Sequence, residues 1–333
     1  MGRGRSRKGR VRPRFPVHKA SAKPPPDMRN LLKTLAALAL GLSCAPAIAQ
    51  VTAPAPAATL PDADPALWVV RDEDTTIYLF GTFHMLDGRP WFNDEVRTAF
   101  DASSELVLEA VMPEDQNAVA QLTMRHAIDA QRRLLSSRLT AEENERLTRA
   151  FAEYGLPAAI FDRFEPWYVS LAVTVAAVQR AGLLGSNGAE GALSAAARAR
   201  NMPIGQLESF EWQMGLLDGI PEELQLVMLR STLDELARLP QILAPALAAW
   251  SSGDVERLEA VLNDPTSNDP RLRRIFLAER NQTWGRWIRE RMARPGTVFI
   301  AVGAGHLAGR DSVQAVLADA GLRAERVPHV EAR

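Results

Sequence analysis

Two reactive side chains are almost missing from this chain of 333 residues. The only cysteine is Cys44 and the last lysine is Lys33. Both lie in the first fifty residues, which read as an export signal behind a basic extension. From Met28 the chain runs MRNLLKTLAALALGLSCAPAIAQ. Arg29 and Lys33 form a positive start, Leu35 to Leu42 an apolar stretch, and Ala47-Ile48-Ala49 a cleavage site of small residues. The apolar stretch is short of the roughly 20 residues needed to span a bilayer. Cleavage after Ala49 leaves a chain from Gln50 with neither cysteine nor lysine. That excludes disulfides, thiolate nucleophiles and thiolate metal sites. Schiff-base chemistry and P-loop phosphate binding, which need a lysine, are excluded too. Only nitrogen and oxygen chemistry remains.

The segments divide as follows. Residues 1–27 are Arg- and Pro-rich and read as a disordered basic extension. The simplest account is that translation starts at Met28, with a nucleic-acid-binding arm as the alternative. A lipid anchor on Cys44 is disfavoured, since Gly41-Leu42-Ser43 fits a lipobox poorly. Residues 28–49 are the signal peptide, 50–65 an Ala/Pro-rich linker and 66–330 a single domain. From Gln50 onward there are 28 basic and 39 acidic residues, a net charge of −11. Such a surface disfavours nucleic acid, whose phosphates need clustered cations. The expectation is a soluble periplasmic or secreted protein, with the membrane met only through its signal peptide.

Apolar runs LWVV at 67–70 and TIYLFG at 76–81 flank a charged turn and read as a hairpin. Asn93 or Asp94 is placed to cap a short helix to about Phe100. ELVLEA at 105–110 reads as a strand buried on both faces. The middle is helical: Thr140 begins a helix to about Phe151, Pro166 opens one to Gln179, and a small-residue helix covers about 190–200. Strand PIGQLE follows at 203–208. Beyond Pro221 a leucine-rich helix runs to Pro240, which is expected to end it, and another covers Gln241 to Trp250. A charged helix spans about 271–293. Strand TVFIAVG at 297–303, a helix at 311–320 capped by Gly321, and a strand near Ala324 to Val327 close the chain. The order predicts an α/β (α+β) fold: a sheet built from both ends of the chain, wrapped by helices, with a large helical insertion.

One pattern occurs twice. TIYLFGTFHMLDG and TVFIAVGAGHLAG each run strand, Gly-x-x-His, Gly, which places His84 and His306 just beyond strand ends. Ligands of open α/β sheets bind there, and a glycine lets the backbone turn sharply beside them. Two unrelated turn histidines are the plainer reading, and the duplicated context weighs against it. His126 and His329 read as surface residues. Glu109 and Glu208 close their own strands and reach the same edge. Two histidines with two glutamates suit a divalent metal, whose bound water becomes more acidic. A carboxylate outside the metal's own ligands then serves as general base. Arg280 is a candidate for oxyanion stabilisation, though spacing alone favours a solvated helix face.

GTFH at 81–84, LVLE at 106–109, EPW at 165–167, LESFEWQ at 207–213, ERN at 279–281 and VGAGHLAG at 302–309 together resemble the TraB/GumN family. That family includes the Tiki-type metalloproteases and is related to ChaN-like and erythromycin-esterase-like proteins. The resemblance covers about residues 65–330. It implies one active site holding His84, Glu109, Glu208, Arg280 and His306, with His84 and His306 as metal ligands. It also implies peptide hydrolysis with manganese or cobalt, zinc being a further option. Glu190 in NGAEG departs from the pattern, where an aspartate is expected. The alternatives are a protein that binds a peptide or small ligand without turnover, or a haem-binding protein.

Overall fold

The computed structural model of the protein describes residues 60–92, 94–262 and 269–329. The expected basic extension, signal peptide, most of the linker and the Asn93 cap lie outside the described residues. Strands β1 (Leu67–Arg71) and β2 (Thr75–Thr82) form the hairpin, followed by helix α1 (Asp94–Ala102) and strand β3 (Glu105–Val111). The helical middle contains α2 (Gln116–Ala127), α3 (Ala141–Tyr154), α4 (Pro166–Arg180) and α5 (Ala189–Ala199). After β4 (Ile204–Ser209) come α6 (Phe210–Asp218), α7 (Glu222–Glu235), α8 (Leu239–Ser251) and α9 (Val255–Leu262). Helix α10 (Glu279–Met292), β5 (Gly296–Gly303), α11 (Val313–Asp319) and β6 (Glu325–Arg326) complete the order.

The six strands form one mixed sheet in the order β4-β3-β5-β2-β1-β6. β2, β3, β4 and β5 are mutually parallel, while β1 and β6 run antiparallel to their neighbours. The two ends of the chain therefore share a sheet, as expected. Because β2 to β5 point one way, their carboxyl ends form a single edge.

Strict alternation along β5 shows how both faces are buried. Phe299 and Ala301 face the helical middle, with Phe80, Leu106 and Leu108 from neighbouring strands. Val298, Ile300 and Val302 face α10 and α11, with Ile77, Leu79 and Val107. Successive side chains of a strand point to opposite faces, so an unbroken apolar run means burial on both. Truncation of a core aromatic such as Phe299 to Ala costs about 3–5 kcal/mol.

Helix ends obey local chemistry where the sequence carries a clear signal. At α3 the Thr140 side chain accepts from Glu143 N (3.2 Å) and Glu143 accepts from Thr140 N (2.8 Å). Gly155 ends that helix at φ 69°. Pro240, expected to end a helix, instead occupies the first turn of α8, where no backbone N–H is needed. The charged helix expected over 271–293 is interrupted by a π-helical turn at Arg274–Ala278. That turn matters for the core. Leu272, Ile275 and Phe276 pack into the helical middle, whereas Trp284, Ile288 and Met292 pack on the other sheet face.

Candidate functional site

The carboxyl edge gathers two adjoining groups of side chains. The first is built on the end of β2. His84 Nδ1 contacts Glu190 Oε1 in an ion-pair geometry, and Thr82 Oγ1 donates to the same oxygen. Glu190 lies in the first turn of α5, where a carboxylate is favoured by the helix dipole. Gly188 sets that approach, because a Cβ there would fall 2.1 Å from the His84 carbonyl oxygen. Burial pushes His84 down to about 3 and Glu190 up to about 8. Burial thus disfavours the charged form of each partner.

The second group centres on Arg280, at the start of α10. Its Nε donates to Glu208 Oε1 at 2.9 Å and one Nη2 proton to Glu208 Oε2 at 2.7 Å. Nη2 also donates to Glu109 Oε1. Nη1 donates to the Phe276 carbonyl at 3.3 Å and to His306 Nε2 at 3.2 Å. Guanidinium has five N–H groups, and these five contacts use them all. Gln213 Nε2 bridges Glu109 Oε1 (2.9 Å) and Glu208 Oε2 (3.1 Å), and Trp284 Nε1 donates to Glu208 Oε1 at 2.9 Å. Glu208 has donors on both oxygens. Burial alone would raise Glu109, but Arg280, His306 and the Gly303 amide outweigh it and hold it at about 2.

His306 is fixed from its far side. The Asn281 amide nitrogen donates to the Asp311 carbonyl at 2.6 Å, so its Oδ1 accepts from His306 Nδ1, also at 2.6 Å. That leaves Nε2 as the lone-pair nitrogen facing Arg280. Burial, then the Arg280 charge, push His306 down to about 3. Its ring lies 4.3 Å from that of Trp284.

Arg280 thus collects Glu109, Glu208 and His306, while His84 joins Glu190 instead. The accessible side is the His84 one. Side chains of His84, Glu109 and Glu190 are 13%, 14% and 19% exposed, against 3% for Arg280 and 5% for Glu208. Two expectations are corrected here. Arg280 is no solvated helix face, and every N–H that would stabilise an oxyanion is already engaged. The strand-end glycine also has a different purpose: Gly81 lets the two Gly-x-x-His turns touch, since a Cβ on it would lie 3.1 Å from Ala304 Cα. His126, expected as a plain surface residue, contacts Asp218 at 3.1 Å.

A divalent metal was expected on His84 and His306. The donor chemistry suits one, as neutral imidazoles and carboxylates are nitrogen and oxygen ligands. The arrangement does not fit it. A guanidinium stands where His306, Glu109 and Glu208 converge, and a second cation beside it would be repelled. Among the described residues no three His, Cys, Asp or Glu side chains are grouped to hold a metal ion.

Comparison with known proteins assigns the chain. A family model described as the TraB/PrgY/gumN family matches residues 66–326, from the start of β1 to β6. The chain belongs to the TraB/PrgY/gumN family. Its relatives include the uncharacterised protein YbaP of Escherichia coli strain K12, 23% identical over 255 residues, covering 76% of this chain and 92% of that protein. An uncharacterised protein of Treponema pallidum strain Nichols is 25% identical over 262 residues, covering 74% of this chain and 78% of its own length. No solved structure matches. Gln213 lies in LESFEWQ and Asn281 in ERN, and neither of them had a role on sequence alone. Glu190 was noted only as a departure, yet it is the group touching His84.

Proposed function

We propose that this TraB/PrgY/gumN protein is an extracytoplasmic hydrolase acting on a peptide or small-molecule substrate at the carboxyl edge of its sheet. The observation that carries the reading is the contact between His84 and Glu190, partly exposed beside Glu109. A carboxyl bound to the Nδ1 of an imidazole sets which ring nitrogen holds the proton. In the reaction, the pair acts in its deprotonated form, with Nδ1–H on the Glu190 carboxylate: water adds to the substrate carbonyl carbon and gives a proton to His84 Nε2. The pair returns that proton to the leaving amine or alcohol as the bond to carbon breaks. Arg280 acts as a positioning residue, holding Glu109 and His306 in place. The export segment from Met28 supports a location outside the cytoplasm. Among the described residues no helix is long and apolar enough to cross a membrane.

Metal dependence through His84 and His306 is the second reading, with manganese, cobalt or zinc. It is supported by the His306 tautomer, which leaves Nε2 as a lone-pair donor, and it requires Arg280 to withdraw. One experiment separates the possibilities. Purified residues 50–333 are subjected to elemental analysis and incubated with a peptide library, with and without chelator. Chelator-resistant turnover lost in His84→Ala and Glu190→Gln is the expected result. Turnover that stops with chelator establishes the metal, and binding without turnover establishes a non-catalytic receptor.

A further inference from the structure

A cavity of about 460 Å³ opens directly beside Glu208 and Arg280. Its walls are Leu207, Trp212, Leu216 and Ile275, with Glu279 and Thr283 at the rim. It touches the candidate site through Glu208 and Arg280 and extends away from it. Trp212 is 45% exposed, one of few large apolar side chains so placed among the described residues. Both carboxylates on the cavity already have an arginine partner. Glu208 is held by Arg280, and the Glu279 carboxylate pairs with Arg274 at 3.1 Å.

The same cavity borders the edge of the sheet. β4 is the last strand in the order, and among the described residues no strand pairs with its outer side. Leu207, Glu208 and Ser209 of β4 line the cavity. An unpaired strand edge offers a row of backbone N–H and C=O groups, to which an extended peptide can add as a further strand. Such a strand presents every second side chain to the same face.

Resting on the proposed hydrolase reading, we infer that a peptide substrate adds to the outer edge of β4 and places an uncharged aliphatic or aromatic side chain in the Trp212 cavity. Backbone pairing lays the peptide along β4, from which it would cross the carboxyl edge past β3 and β5 to reach His84, and the cavity selects the side chain. A charged side chain is rejected, since it would lose its water without gaining a partner.

Fluorescein-labelled Ala-based heptapeptides, with Leu, Phe, Lys or Glu at the central position, test this by anisotropy on residues 50–333. Leu and Phe peptides are expected to bind at least about ten-fold more tightly than Lys or Glu peptides. Trp212→Ala and the cavity-filling Leu216→Trp should erase that preference with the far-UV circular dichroism unchanged. N-methylation of the Leu peptide, one amide at a time, should weaken binding about three- to ten-fold at alternate amides only. This scan uses the unmodified protein, so it stands even if a variant fails to fold. Equal binding of all four peptides, no binding at all, or an N-methyl penalty without alternation would overturn the inference. Binding that follows the pattern without cleavage refutes the hydrolase and leaves the subsite intact. Cleavage indifferent to Trp212, Leu216 and N-methylation does the reverse.

Discussion

At the residue scale the two histidines, so alike in sequence, have opposite fates. His306 is buried against Arg280 and Asn281, whereas His84 keeps partial exposure and contacts Glu190. Stability should report how burial shifts these groups. His84 drops from 6.5 to about 3, so its contribution is present above 6.5 and lost as pH falls toward 3. Glu190 rises from 4.5 to about 8, so its contribution is present below 4.5 and lost as pH rises toward 8. Between 4.5 and 6.5 the two slopes oppose one another. His306, also lowered to about 3, adds a second loss on the acid side. Urea unfolding should therefore show stability rising with pH up to 6.5, falling above it, and the alkaline fall lost in Glu190→Gln. Arg280→Ala strands Glu109 and Glu208 without their cation. Breaking a buried pair in this way costs about 3–5 kcal/mol, which urea unfolding at pH 7 should register. Gly188→Ala should cost about 1–3 kcal/mol by overpacking, since its Cβ would collide with the His84 carbonyl. A smaller loss in a thermal melt would show that α5 slides away freely.

Much of that site was legible in sequence, because a residue that ends an apolar strand in a parallel sheet must lie at the ligand edge. His84, Glu109, Glu208 and His306 follow from that rule. Gln213, Asn281 and Trp284 do not, since helices bring them to the edge and their approach depends on packing. Glu190 was visible only as one methylene more than expected.

At the scale of elements, signals that act over four residues were read best. The Thr140–Glu143 box and the apolar runs of β2, β3 and β5 lie where expected, because local geometry alone determines them. Thr140→Ala should lower stability by about 1 kcal/mol, measurable by urea unfolding with no change at the site. Pro240 was misread because one residue either ends a helix or begins one, and only the preceding turn decides. Helices α2, α6 and α9 have short or mixed apolar faces and were not seen. The π-helical turn was invisible for a different reason. It answers a demand from two separate cores, which no window on the chain contains. Deleting one residue from it would rotate α10 by about 100°. Arg280 and Trp284 would then leave Glu208, and the near-ultraviolet circular dichroism should lose tryptophan intensity.

At the scale of the whole molecule, the sheet order carries a consequence for how the chain comes into being. β5 lies between β2 and β3, and Thr75 pairs with Gly296. The two early strands are therefore not neighbours of each other, and their shared neighbour is synthesised later, 221 residues from Thr75 to Gly296 and 193 from Glu105 to Val298. Contacts so distant in sequence close slowly, because loop entropy opposes them until the last strand arrives. A ribosome-bound chain lacking β5 has apolar faces and no central strand to cover them. Such a chain keeps its apolar strands open to aggregation and proteolysis until synthesis is nearly finished.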